Sequence, residues 1–338
     1  MTPRRIFVRS PNWVGDAVMA TPALRALRAA HPDAEIVLEA RPLLADLWSG
    51  LPTFDAFLPD ARGSTLTRAR ALRARGFDWA VLLPDSVRVA LAPFLARIPR
   101  RVGYARDLAR RALLTDALDP PREGGRRLPI SMIERYLAIT RHLGCEDRGT
   151  ELDLRVEPEL VDRVESRLGA CGVGREDAIL VVTPGARFGS SKLWPPDHFA
   201  SACDGIAQRL GLLPVFAPAP DEIPIAETIA QRMKERSLVL KDPPATIAEL
   251  KALIARCALA LTNDAGPRHI AVALSRPVVV VMGPTDPRHT AHHLERQRVL
   301  REDVECSPCH LKTCPIDHRC MTRLRPERAV RAALELLA

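Results

Sequence analysis

Aromatic residues are scarce in this chain: Phe, Trp and Tyr make up 4% of its 338 residues. Proteins that read single-stranded nucleic acid stack bases on aromatic rings, so the shortage argues against that class, and no nucleic-acid partner is expected. No run of about 18 apolar residues occurs, which removes a membrane-spanning helix from the expectations. The opening MTPRRIFVRSPNW lacks the apolar segment of a secretory signal, so a cytoplasmic location is expected. The chain also lacks a GxxxxGK[ST] phosphate loop, so ATP hydrolysis is not implied.

What is present points to an enzyme acting on an anion. The net charge of +8 favours a nucleic acid, an acidic membrane surface or a phosphorylated small molecule as partner. Hydrophobic residues at 47% and charged residues at 27% describe a packed globular protein. The length is too great for one ordinary core and fits two domains.

Short β-branched runs alternate with Ala/Leu/Arg stretches of helical period. RIFV precedes DAVMATPALRALRAA; DAFLP precedes LTRARALRARG; WAVLLPD precedes SVRVALAPFLARI. The alternation pauses in a polar stretch at 145–158 and restarts at AILVVTP, followed by LLPVFAP, SLVL, ALALTN and PVVVVMG. This pattern predicts an α/β protein of two doubly wound parallel sheets, with domains at 1–156 and 157–338 and a last helix in RPERAVRAALELLA.

Open parallel sheets collect ligands at the carboxyl ends of their strands, so the loops there matter most. In RSPNWVGDAVMATPAL, Gly15 permits a tight turn and Asp16 falls at a helix start, where an N-cap role competes with a chemical one. In TPGARFGSSKLWPPDHF, Gly185 and Gly189 allow close backbone approach. Thr183, Ser190 and Ser191 offer hydroxyls, and Lys192 is a compact charge suited to phosphate. In TNDAGPRHIAVAL, Asp264, Ala265 and Gly266 lead into a helix whose N-terminal amides attract anions. Asp264 is expected to meet a sugar hydroxyl or to serve as an N-cap. His269 is expected to reach a phosphate or a sugar hydroxyl, with capping or packing as its alternative.

Taken together, NWVGDAVMATPAL, PGARFGSSKLWPPDHFA and TNDAGPRHIAVAL, with the downstream GPTDP, resemble the ADP-heptose:lipopolysaccharide heptosyltransferases of glycosyltransferase family 9. WVGD, VLLPDS and CPIDHRCM are most similar to the heptosyltransferase II group, and the resemblance spans nearly the whole chain. It implies a GT-B fold, in which two Rossmann-like domains flank an interdomain cleft. It implies inverting transfer of heptose from ADP-L-glycero-β-D-manno-heptose to an inner-core heptose of the lipid A-core glycolipid.

By the same resemblance Asp16 is the general base and Lys192 neutralises the diphosphate. Asp264, Ala265, Gly266 and His269 contact diphosphate and heptose, and Glu222 is a candidate for the ribose hydroxyls. No cofactor is required for catalysis. Ala265 stands where a Ser or Thr is usual, and Pro267 and Arg268 replace a more usual apolar pair; Arg268 is expected to add positive charge.

Two further features stay open. Cys306, Cys309, Cys314 and Cys320, with His310 and His318 among them, suit a structural zinc, with free thiols or a disulfide as alternatives. Arginines crowd 97–111 and 122–127, either as a solvated face or as a basic surface for the inner leaflet of a membrane. The competing functions are transfer of another sugar or to another acceptor, a nucleic-acid-binding protein with a zinc knuckle, and a non-catalytic sugar-nucleotide sensor.

Overall fold

The computed structural model describes residues 2–60 and 63–338. The first six strands are β1 (Arg5–Arg9), β2 (Glu35–Ala40), β3 (Ala56–Pro59), β4 (Trp79–Leu82), β5 (Arg100–Tyr104) and β6 (Asp116–Leu118). They form one sheet in the order β3-β2-β1-β4-β5-β6, with every neighbouring pair parallel. A small antiparallel hairpin, β7 (Arg122–Glu123) and β8 (Arg126–Arg127), follows.

The second half repeats the plan. β9 (Ile179–Thr183), β10 (Leu213–Phe216), β11 (Leu238–Val239), β12 (Leu259–Asn263), β13 (Val278–Val281) and β14 (Gln297–Leu300) form a parallel sheet in the order β11-β10-β9-β12-β13-β14. Both halves thus have the doubly wound 3-2-1-4-5-6 order. The chain reverses its winding between β1 and β4 in one sheet and between β9 and β12 in the other.

Sequence dictates this arrangement directly. ILVVT, LALTN and VVVV are buried along their whole lengths, as strands covered by helices on both faces must be. The helix Pro196–Leu210 buries Phe199, Cys203 and Ile206, and the last helix, Pro326–Leu337, buries Ala329, Val330, Ala332 and Ala333. Trp194, Phe199 and Phe216 anchor that core. Packing divides the chain into one unit that runs to Asp153 and includes Arg288–His292, and a second of Leu154–Pro287 with His293–Ala338. Among the described residues, no helix is long and apolar enough to cross a membrane.

Local differences from the sequence pattern have physical causes. The first expected helix is two, Val14–Met19 and Thr21–Ala30, because Pro22 lacks an N–H and settles in the first turn of the second. The arginine-rich stretch at 97–111 divides: Arg97, Arg106 and Arg111 are exposed, while Arg100, Arg101 and Arg110 serve as internal scaffolding. Arg100 lies 4.7 Å over the Trp79 ring and pairs with Asp116 at 2.9 Å. Arg101 donates to the carbonyls of Leu113 and Ile98 at 2.8 and 2.5 Å. Arg110 is fully buried and donates to the carbonyls of Tyr104 and Pro84 at 2.6 and 2.7 Å.

Candidate active site

In the first unit, the loop after β1 is held from below. Arg9, 3% exposed, donates to Asn12 Oδ1 at 2.8 Å, to Asp60 Oδ2 at 2.7 Å and to the Glu39 carbonyl at 3.2 Å. Arg68 donates to Glu39 Oε2 at 2.6 Å. Burial pushes the Glu39 carboxyl up, against the pull of Arg68 and Arg9. The loop then turns into the helix Val14–Met19, whose N-cap residue is Trp13, in extended backbone. Asp16 therefore sits inside the first turn and does not cap it, so the simplest structural account of this acid does not apply. The helix dipole favours the carboxylate there.

Next to Asp16 lies a group that the sequence alone did not single out. Burial, and after it the charge of Asp16, pushes the Tyr136 phenol well above its usual range. Its neighbour Arg135 pairs with Asp85 at 2.9 Å and lies 4.2 Å over the Tyr104 ring. Asp85 follows β4, the strand paired with β1. The loops carrying Asp16 and Asp85 thus share the winding reversal of the first sheet.

The second sheet joins two of the expected donor residues, Lys192 and Asp264, at its own reversal. Lys192, from the loop after β9, donates to the Asp264 carboxylate and to the Asp264 carbonyl, both at 2.7 Å. Arg268 donates to Asp264 Oδ1 at 2.9 Å and to Gln297 Oε1 at 2.9 Å. Thr285 donates to Asp264 Oδ2 at 2.7 Å. Burial alone would push the Asp264 carboxyl up; Lys192 and Arg268 outweigh it and hold the group below the usual carboxylate range. Asp264 accepts from Lys192, Arg268 and Thr285, a geometry that aims Lys192. Arg268, 1% exposed, serves the interior and not a surface charge. The Lys192 ammonium has three N–H donors and spends two on Asp264, which leaves one for an anion.

His269 is 8% exposed in the helix Gly266–Ala273. Burial, with Arg268 next in weight, pushes its pKa down to about 3. Its imidazole is therefore neutral near pH 7 and supplies no charge. Ala265 is the extended N-cap residue of this helix and makes no side-chain cap, and Gly266 opens its first turn. Pro267 has no N–H and the Arg268 N–H donates to the Ala265 carbonyl at 3.2 Å, so in this first turn the Gly266 N–H is the one that an anion would meet.

Gly185 and Glu222 come together after β9 and β10. A Cβ on Gly185 would lie 1.8 Å from the Glu222 carboxyl carbon, so only glycine admits that carboxylate. Glu222 Oε2 accepts from the Ala219 N–H at 3.2 Å, and burial pushes its pKa up. Thr183 is buried at the end of β9, where its carbonyl accepts from Thr262 Oγ1 at 3.3 Å. Ser191 is also buried and donates to the Leu311 carbonyl at 2.5 Å. Asn263, another residue not singled out by pattern, accepts from the Trp194 N–H at 3.3 Å and donates to the Pro184 carbonyl. It ties the Lys192 loop to β12.

The cysteine segment takes a different shape from the expected ligand set. All eight cysteines of the chain are free thiols. Cys306 and Cys309 are exposed, Cys314 is half-buried and Cys320 is buried. Burial, with the other three cysteines adding, pushes the Cys320 thiol up to about 11. His318 turns away from them, to the Ser191 carbonyl at 2.7 Å. Among the described residues, no group of three or more His, Cys, Asp or Glu stands where it would hold a metal ion.

Comparison with known proteins places this geometry. A family model described as glycosyltransferase family 9 (heptosyltransferase) matches residues 66–319. The chain belongs to that family. It is a glycosyltransferase of the GT-B class, built from two Rossmann-like units. It is 29% identical to lipooligosaccharide heptosyltransferase 2 of Haemophilus influenzae, covering 98% of this chain and 99% of the relative. It is also 29% identical to lipopolysaccharide heptosyltransferase 2 of Escherichia coli, covering 88% of each. The solved structure of E. coli ADP-heptose LPS heptosyltransferase II superposes with a TM-score of 0.79 at 27% identity, over 98% of both chains. A family 9 glycosyltransferase from Veillonella parvula gives a TM-score of 0.83 at 21% identity, covering 99% of this chain and 97% of that one, a likeness of fold.

Proposed function

We propose that this enzyme transfers heptose, with inversion, from ADP-L-glycero-β-D-manno-heptose to the inner-core heptose of lipopolysaccharide. The observation that carries the reading is the Lys192 ammonium, held by Asp264 beside the uncapped N-terminus of the helix Gly266–Ala273. A compact cation beside a helix N-terminus, with its dipole and the Gly266 N–H, suits a diphosphate leaving group. The names of the relatives in Haemophilus influenzae and E. coli support heptose as the sugar and the lipopolysaccharide core as the acceptor class.

In this reading the Asp16 carboxylate removes the proton from the acceptor hydroxyl. The freed oxygen attacks the anomeric carbon from the side opposite the diphosphate. The bond between that carbon and the diphosphate oxygen breaks, and ADP departs with the electron pair. Lys192, the Gly266 N–H and the helix dipole hold the charge that develops there, a preorganised electrostatic contribution. One displacement needs one base, so no covalent intermediate is invoked. Glu222, over Gly185, is assigned to the ribose hydroxyls, and neutral His269 to a hydroxyl or phosphate oxygen.

The reading also places the enzyme at the inner-leaflet surface, where a glycolipid acceptor is held. The hairpin β7–β8 supports this. Arg122, Arg126, Arg127 and Leu128 are exposed on or beside it, and Arg127 Nη2 donates to the Arg106 carbonyl at 2.8 Å. Leu108, 83% exposed, lies two residues further along. Basic side chains contribute about 1 kcal/mol each near an anionic lipid surface.

The test is ADP release from ADP-heptose with a heptose-terminated inner-core acceptor, and NMR of the product's anomeric centre. The expected result is acceptor-dependent release with inversion. Retention, or release indifferent to acceptor, would overturn the mechanism; turnover with a different nucleotide sugar only would overturn the donor.

A further inference from the structure

The segment from Cys306 to His318 lies between β14 and the short helix Arg319–Thr322 and has no regular structure of its own. Its hydrogen bonds nevertheless run to two loops at the ends of the second sheet. On one side, the N–H groups of Cys309 and His310 both donate to the Pro284 carbonyl, at 3.1 and 2.9 Å. Ser307 Oγ donates to the Gly283 carbonyl at 2.7 Å. On the other side, Ser191 donates through its N–H to the Lys312 carbonyl at 3.0 Å and through its hydroxyl to the Leu311 carbonyl. The Ser191 carbonyl in turn lies 2.7 Å from His318 Nε2. A carbonyl oxygen only accepts, so that nitrogen carries the hydrogen and donates it.

Gly189 shows how closely the two pieces fit. Its φ is +155°, and a Cβ there would lie 2.2 Å from the Lys312 carbonyl oxygen. The segment's backbone therefore lies directly against the loop that carries Lys192. Both braced loops lead to one group: Lys192 donates to Asp264 from the first, and Thr285 donates to Asp264 from the second. The N–H, the hydroxyl and the carbonyl of Ser191, the residue before Lys192, each bond to this segment. Losing the His318 bond would free the carbonyl from which the Lys192 peptide begins.

We propose that His318 is a positioning residue for the diphosphate site: through Ser191 it fixes the Lys192 peptide, with the 306–318 segment acting as a strap across the donor loops. His318 touches no substrate in this account. Its effect is to keep the ammonium in the place where a diphosphate meets it. The ligand class rests on the reading given under the proposed function; the strap itself does not.

The experiment compares wild type with His318→Ala and His318→Gln, the second of which keeps an N–H donor on a similar reach. Hydrogen exchange of the ligand-free proteins reads the strap. The peptide spanning residues 186–193 should exchange at least about tenfold faster in His318→Ala, with strands β9 and β12 and the whole first unit unchanged. Titration with ADP reads the consequence. His318→Ala should bind at least about tenfold more weakly, and His318→Gln should recover most of the loss. Unchanged exchange at 186–193 would overturn the proposal whatever binds. Faster exchange spread over the whole second unit would overturn it too, by making His318 a general support of the fold. Faster exchange at 186–193 with unchanged ADP affinity would overturn the link to the diphosphate site. Wild type that fails to bind ADP, with the local exchange effect present, would sink the donor reading and leave the strap standing.

Discussion

The two sheets run their strands in the same order and put their charged clusters in different places. In the first unit, Arg9 and Arg68 meet Glu39 and Asp60 beneath the ends of β1, β2 and β3, to one side of the winding reversal. In the second, Lys192 and Arg268 meet Asp264 at the reversal itself, between β9 and β12. The first cluster balances two cations with two carboxylates and braces a loop. The second sets two cations on one carboxylate, at a helix N-terminus where anions bind. A single topology thus hosts a scaffold in one copy and the proposed anion site in the other, and the count and placement of carboxylates make the difference.

Removing the central carboxylate from each cluster should break the comparison most sharply. Asp264→Asn leaves two buried cations without their counter-charge, a change that typically costs about 3–5 kcal/mol. The transition of the second unit should fall by that amount in urea, and ADP binding should weaken with it. Glu39→Gln keeps an acceptor for Arg68 and leaves Asp60 in place, so its cost should be about 1–3 kcal/mol, confined to the first unit. ADP affinity should not change in that variant. Equal losses of ADP affinity in the two variants would erase the distinction between scaffold and anion site.

The sign and place of these clusters also show where sequence could be read and where it could not. The strands announced themselves because ILVVT, LALTN and VVVV are apolar throughout, which only a buried parallel strand needs. Strand β5 escaped because it begins with Arg100 and Arg101, whose guanidinium groups reach an indole ring and backbone carbonyls; a run of arginines reads as solvated only until its acceptors are known. The candidate loops were legible from their glycines and their position after strands. The role of Asp264 was not, because Lys192 and Thr285 stand 72 and 21 residues away and only folding brings them to one carboxylate. The cysteine spacing suggested a ligand set, and what it could not show is that the fold turns His318 to Ser191 and sinks Cys320 beside Gly283.

Acid separates the units as well. The His269 imidazole is held at about 3 in the folded chain, against 6.5 for an unhindered histidine. Below 6.5 the unfolded chain takes up a proton that the folded one refuses. The stabilisation is therefore complete above pH 6.5 and is lost as pH falls toward 3, with a limiting slope of about 1.4 kcal/mol per pH unit. His269→Gln should flatten the denaturation midpoint of the second unit between pH 6.5 and 4 and leave the first unit's profile unchanged. An identical slope in wild type and variant would show that His269 is not the group responsible.

The account's central claim is that proton removal belongs to Asp16 in one unit and diphosphate recognition to Lys192 in the other. Turnover of ADP-heptose and calorimetric ADP affinity, measured side by side for Asp16→Asn and Lys192→Gln, test it directly. Asp16→Asn should lose at least about a hundredfold in kcat with ADP affinity retained, the range for a positioned base. Lys192→Gln should lose about tenfold or more in ADP affinity. Turnover within a few-fold of wild type in Asp16→Asn, or loss of ADP binding in that variant, would contradict the division.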